Sequence, residues 1–282
     1  MRLTLIILIA SLLLLTSCKN TSDPVETNQQ LSKEQADQLY ASNQYILVQV
    51  INFLSIQAKT AASGDVSNLP VGFGGSLVFK PIVKETPFNI ADSAGFGYAG
   101  DGCWTFNYLF DTPGSSYGFD AEVCFDVFGD NGLPTAATST ATIMIDLTSS
   151  SSYSSEGYSS SSNLTELENL TVNGIAGFIM GTGNLTVNGT ESVESSYSYS
   201  YDNETSSTNF DFNFTVTNFE LSPQIIYPAN GTITFTIITE DTSPGEENFG
   251  YNIPGMVTFN GTNMVSVKFA GFDYQLNLDL FL

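Results

Sequence analysis

The chain has 282 residues, with 29 acidic against 7 basic side chains, no histidine, and a formal net charge of -22. Binding a phosphate backbone by counterion release needs clustered Lys and Arg, and imidazole catalysis or ligation needs histidine, so both are excluded. A hydrophobic content of 42%, with 21 Phe and 13 Tyr, is that of a folded chain with a sizeable core.

Met1-Arg2 is followed by Leu5 to Leu15, a run that is apolar apart from Ser11. A bilayer-spanning helix needs about 20 apolar residues, so the run is too short to span and fits the apolar region of a signal peptide over residues 1–17. Leu15-Thr16-Ser17-Cys18 then resembles the lipobox of bacterial lipoproteins. That resemblance implies that Cys18 is acylated with palmitate-class chains and becomes the mature N-terminus. Lys19, rather than Asp, follows the cysteine, which by the same resemblance implies the outer membrane. Cleavage removes the one arginine and leaves six lysines against 29 acids, a net charge of -23. Such a body is repelled by anionic lipid, so the acyl chains on Cys18 do the anchoring and the body stands off from the membrane.

Residues 18–30 read as the lipidated cysteine and a flexible tether reaching about 20 Å. An amphipathic helix is expected over 31–62. Ser32 and Gln35 make a capping box, Glu34 suits the positive end, and Leu39, Ile46, Leu47, Val50, Ile51, Leu54 and Ala58 recur at three- and four-residue steps before Ser63-Gly64. The expected role of this stripe is packing on a sheet.

From residue 74 to 282 the period is two, which predicts one antiparallel β domain. The expected strands are Ser76–Val83, Gly102–Phe110, Phe119–Phe128, Thr138–Leu147, Leu167–Val172, Gly177–Met180, Asn184–Val187, Val193–Tyr201, Asn209–Leu221, Gly231–Thr239, Gly255–Phe259, Met264–Ala270 and Phe272–Leu280. Pro113-Gly114, Gly181 to Gly183, Pro244-Gly245 and Asn260-Gly261 punctuate them.

One hairpin can be put in register from sequence. Cys103 and Cys124 are the only cysteines besides Cys18, and an exported protein meets an oxidising compartment. If they pair across a hairpin, partners sum to 227 and the turn falls on Pro113-Gly114. Trp104 then meets Val123, Phe106 meets Ala121, and Tyr108 meets Phe119, while Thr105 meets Glu122 and Asn107 meets Asp120 on the other face. One face is apolar and the other polar, a sorting that a one-residue slip destroys. The closed loop contributes about 3 kcal/mol by chain entropy.

Residues 148–162 are nearly all Ser, and the reading is a flexible Ser/Tyr-rich insertion. Tyr197, Tyr199 and Tyr201 share one face of a strand. Ordinary sheet packing is the preferred reading for them, and sugar stacking or protein contact is the alternative that makes them candidate ligand-binding residues. Asn169–Gly174 recurs as Asn184–Gly189, read as two similar hairpin elements rather than a repeat array. The Asn-x-Ser/Thr sites, such as Asn184, Asn213 and Asn230, follow from Asn-rich turns beside Thr-rich strands.

Two motifs resemble catalytic signatures without their context. Gly95 to Gly100 matches G-x-G-x-x-G, but a strand rather than a helix follows; Gly114 to Gly118 matches G-x-S-x-G, but Ser116 has no histidine to activate it. Carboxylate chemistry on glycans survives this screen. Glu240, Asp241, Glu246 and Glu247 around one turn, and Asp126, Asp130 and Asn131 around another, are weak calcium candidates; solvated acidic loops are preferred.

The expected fold is mainly β: an N-terminal helix packed on a large twisted antiparallel meander, as an open barrel or sandwich-like sheet. Residues 227–237 and 256–262 resemble β-rich bacterial envelope lipoproteins of unknown function. The function expected is a lipid-anchored, extracytoplasmic, non-catalytic binding or structural module, with no cofactor, no catalytic residue, no nucleic-acid partner, and an unidentified protein or glycan partner. A glycan-acting enzyme and an outer-membrane β-barrel, suggested by the alternating Phe272 to Leu282, are the alternatives.

Overall fold

A computed structural model describes residues 31–70, 95–202, 204–245 and 249–281. The expected strand Ser76–Val83, the signal peptide, Cys18 and the tether lie outside the described residues.

Helix α1 runs Lys33–Ser63. Ser32 accepts a hydrogen bond from the Gln35 N–H, and the Gln35 side chain accepts from the Ser32 N–H at 3.0 Å, so the capping box closes from both sides. The helix stops at Gly64, whose φ of 73° is left-handed; a Cβ there would also fall 2.9 Å from the Pro134 ring. Leu47, Val50, Ile51, Leu54 and Ala58 are buried, as their spacing requires.

Eleven described strands form one sheet in strict sequence order: β1 (Gly97–Tyr98), β2 (Cys103–Thr112), β3 (Ser115–Phe125), β4 (Thr140–Ser155), β5 (Tyr158–Asn173), β6 (Leu185–Tyr201), β7 (Glu204–Leu221), β8 (Asn230–Thr242), β9 (Phe249–Thr258), β10 (Met264–Phe269) and β11 (Phe272–Asn277). Every neighbouring pair is antiparallel. The sheet is single and open, since β1 and β11 are not hydrogen-bonded to each other. Among the described strands there is no second sheet and no closed cylinder. The outward residues of the sheet on β7, namely Asp211, Asn213 and Thr215, are not lipid-facing types.

The β2–β3 hairpin has the register that its cysteines imply. Cys103 faces Cys124, their sulfurs are 2.10 Å apart in a disulfide, and every pair down to Thr112–Ser115 sums to 227. Phe106, Phe119 and Val123 on the inner face are buried.

Three corrections concern element type and extent. Residues 148–162 are not a flexible insertion. They are the far halves of β4 and β5, joined by a tight turn at Glu156-Gly157 and paired through Ser155–Tyr158. Serine can extend a ladder because its hydroxyls bond across it: Ser116–Ser150, Ser151–Ser162 and Ser161–Ser198 oxygens each lie 2.8 Å apart. Gly177–Met180, expected as a strand, belongs to a short helix α2, Ile175–Ile179, and its exit turn. Residues 278–281 form a 3-10 turn after β11.

The two copies of Asn-Leu-Thr-Val-Asn-Gly are the two arms of one hairpin. Leu170 pairs with Gly189, Thr171 with Asn188 and Val172 with Val187, around α2. Gly189 sits at a bulge, where a Cβ would fall 2.1 Å from the Asn169 carbonyl oxygen.

Helix α1 crosses the inner face. At its start the Tyr40 hydroxyl donates to the Gln275 carbonyl at 3.0 Å, and the Tyr40 ring stacks on Tyr274 at 4.1 Å. At its end Gln57 reaches Glu168 of β5. Beneath it run continuous rows of side chains. One is Val123, Ile143, Leu170, Val216, Ile233, Val257 and Val267 on successive strands, with Gly189 taking the β6 position.

Candidate functional site

Two features on the inner face depart from an ordinary core. The first is a set of carboxylates. Leu164, Leu170 and Val172 on β5 face inward, so Glu166 and Glu168, in phase with them, also point into the core, while Leu167 between them is 48% exposed. On β6 the inward phase of Val187 and Val193 includes Glu191. Register places Glu168 directly opposite Glu191, with Glu166 two residues along on the same face. The exposures of Glu166, Glu168 and Glu191 are 0%, 4% and 2%, and their carboxylate oxygens lie within 4.8 Å of one another.

Like charges directly across a ladder are unfavourable, and burial compounds the cost. Among the described residues the one ion pair is Lys33–Asp37 at the start of α1, remote from Glu168 and Glu191. The nearest polar partner is Gln57, itself 0% exposed. Its Nε2 donates to both oxygens of Glu168, at 2.9 and 3.1 Å, and to the Pro70 carbonyl at 3.2 Å, while its Oε1 has no partner. Both oxygens of Glu191 are buried and likewise lack a donor. Burial pushes the Glu168 carboxyl up to about 8, with the Glu166 charge adding to the rise and the Gln57 hydrogen bond opposing it. Burial, followed by the Glu168 and Glu166 charges, holds Glu191 well above the carboxylate range. Contacts among these acids become hydrogen bonds only when one of them carries a proton.

Carboxyl groups about 5 Å apart suit a retaining glycosidase. Here they lie beneath α1 at no more than 4% exposure, so a sugar ring cannot reach them. The same cluster escaped sequence reading, although a signal existed: extending the period-two phase of Leu164–Val172 and Val187–Val193 puts all three acids on the core face.

The second feature is aromatic. Tyr197, Tyr199 and Tyr201 are in phase with Val193 and so share the helix-bearing face, but they lie past the part that α1 covers. Their exposures are 37%, 41% and 61%, so ordinary sheet packing does not describe them. Register brings Tyr153 and Tyr158 to the same face, through Tyr153–Ser160–Tyr199 and Tyr158–Tyr201. Ring centroids are 6.1 Å apart for both Tyr153–Tyr158 and Tyr197–Tyr199. Ser160 and Ser162, paired with Tyr199 and Tyr197, place hydroxyls on the same face, whereas a groove of about 540 Å³ nearby is lined mainly by Ser152, Ser159, Ser161 and Thr205 of the opposite face.

Of the turn-borne calcium candidates, only part is described. Glu240 and Asp241 are neighbours on β8 and point to opposite faces, and Glu246 and Glu247 lie outside the described residues. Asp126 Oδ1 accepts N–H groups of Val127, Ser139 and Thr140 at 2.9 to 3.0 Å, a loop-closing role. Of the two catalytic look-alikes, Gly97-Tyr98 forms β1, and Ser116 lies in β3, with its hydroxyl 2.8 Å from that of Ser150. No protein-family model, curated protein or solved structure matches this chain.

Proposed function

We propose that this chain is a lipid-anchored, extracytoplasmic envelope protein acting as a non-catalytic binding module, with a neutral glycan held on the tyrosine face of β4–β7. The observation that carries the reading is the set of five tyrosines gathered on one face of β4–β6, at the ends of the strands where the buried core of the same face gives way to exposed residues. Rings with a wet edge suit the C–H faces of sugars, and the flanking serine hydroxyls suit sugar hydroxyls. The acidic body, at -22 overall, selects against anionic polymers.

Two experiments test the two halves of this reading. Cys18→Ala, expressed in a bacterial host, is expected to shift the protein from the membrane pellet to the soluble extracytoplasmic fraction. Tight membrane association of the variant would refute the anchor. For the ligand, affinity electrophoresis in gels cast with neutral polysaccharides is expected to retard the wild type. The double variant Tyr199→Ala/Tyr201→Ala should bind about tenfold more weakly, each lost stacking contact costing about 0.5–1 kcal/mol. Its unfolding midpoint should hold, since both rings are exposed. Equal mobility of wild type and variant in every gel removes the glycan assignment.

A further inference from the structure

We propose that Glu166, Glu168 and Glu191, held by Gln57, form a calcium site inside the core. Three observations converge on it. The carboxylate oxygens already lie within 4.8 Å of one another, so small side-chain adjustments bring them around one ion. Both Glu191 oxygens are buried without a donor, and the Gln57 Oε1, on an amide lying against Glu168, is an independent buried oxygen without a partner. No described lysine pairs with Glu168 or Glu191, and a divalent cation would offset the charge that these two carry.

The donor set selects the ion. All donors are hard oxygens, with no histidine in the chain and both described cysteine sulfurs committed to a disulfide. That favours Ca²⁺, Mg²⁺ or Mn²⁺ over zinc and copper. Three carboxylates offer up to six oxygens, which reaches the six to eight of Ca²⁺; Mg²⁺ prefers to retain several waters, which a buried site does not welcome. Gln57 can serve through its Nε2, as the group that orients Glu168 toward the ion.

The placement also suggests what the ion does. It would tie the end of α1 to β5 and β6 across the middle of the sheet, at the boundary between the helix-covered core and the tyrosine face.

The test uses purified mature protein stripped with a chelator. Equilibrium dialysis against Ca²⁺ should show one tightly held ion per chain, above any weak binding by surface acids, and Ca²⁺ should raise the urea midpoint. Glu191→Gln should lose the tight ion, with at least a 100-fold fall in affinity, and its midpoint should no longer respond. Gln57→Leu should weaken binding 10- to 100-fold, while Asp101→Asn, an exposed acid on a loop, should bind like wild type. Far-UV circular dichroism establishes that each variant is folded, and Glu168→Gln replaces Glu191→Gln should the latter fail to fold. A midpoint unmoved by Ca²⁺, Mg²⁺ and Mn²⁺ overturns the site, as does an equal response in wild type and Glu191→Gln. A response to Mg²⁺ or Mn²⁺ without Ca²⁺ overturns the calcium assignment.

Discussion

Leu54→Ala is expected to lower the unfolding free energy by about 3 kcal/mol, within the 2–5 kcal/mol range of buried leucine truncations. Leu54 is 0% exposed in the middle of α1, and the rows of the sheet beneath it are fixed by backbone ladders on both sides. The strands therefore cannot close in on the space the side chain leaves, which puts the loss above the minimum set by transfer alone. Ile56, two residues on, is 53% exposed, and Ile56→Ala should stay within about 0.5 kcal/mol. Urea denaturation of both variants checks the pair. Similar losses at the two positions would mean that α1 is not docked through the face seen here.

The second large effect is a stability that rises as pH falls. In the metal-free protein, Glu168 carries its proton up to about pH 8, against a usual value near 4.5, and Glu191 is shifted in the same direction. Across that window the folded chain binds more protons than the unfolded one, so stability falls as pH rises from about 4.5 and levels off above about 8. With 1.36 kcal/mol per pH unit for one such group, lowering the pH from 8 to 5.5 in chelator should add on the order of 3 kcal/mol. Among the described residues, Gln57, Glu166 and Glu191 are the groups that act on Glu168, and none of the three carries a positive charge. Asp37 and Asp279 are exposed and shifted down, by the Lys33 ion pair and by the Tyr227 hydroxyl respectively, so their contributions vanish only at still lower pH. A urea series across pH therefore should peak below neutrality. In Glu168→Gln the slope between pH 5.5 and 8 should flatten, and an unchanged slope would place the titration elsewhere.

Much of the scaffold was legible because its signals are local. Ser32 with Gln35 and Gly64 set the ends of α1 by backbone hydrogen bonding within one turn. Cys103, Cys124 and Pro113-Gly114 set the β2–β3 register because a disulfide, a turn and a two-faced pattern have to agree. The far halves of β4 and β5 were harder to read. Serine has little preference for strand over coil, and only the hydroxyls of the neighbouring strands turn Ser149–Ser155 and Ser159–Ser162 into ladders. Residues 177–180 went the same way: their apolar run carries no period, and helix α2 exists because the chain must turn between β5 and β6.

Which face each acid and tyrosine takes is a matter of counting in twos from Leu164 or Val193, and sequence alone determines it. What those side chains meet is not. Glu168 lies against Glu191, and Tyr199 level with Tyr153, only through the β4–β5–β6 register, which no cysteine marks. Whether a residue on that face is sealed or exposed depends on what packs over it: Glu168 lies under Gln57 of α1, while Tyr197, Tyr199 and Tyr201 stay 37%, 41% and 61% exposed. Sequence determined the helix, one hairpin, the apolar parts of the strands and the acidity. Tertiary structure decided that three of the acids are buried together while five tyrosines gather on a partly open face, because pairing distance and coverage are set by contacts between segments that are far apart in the chain.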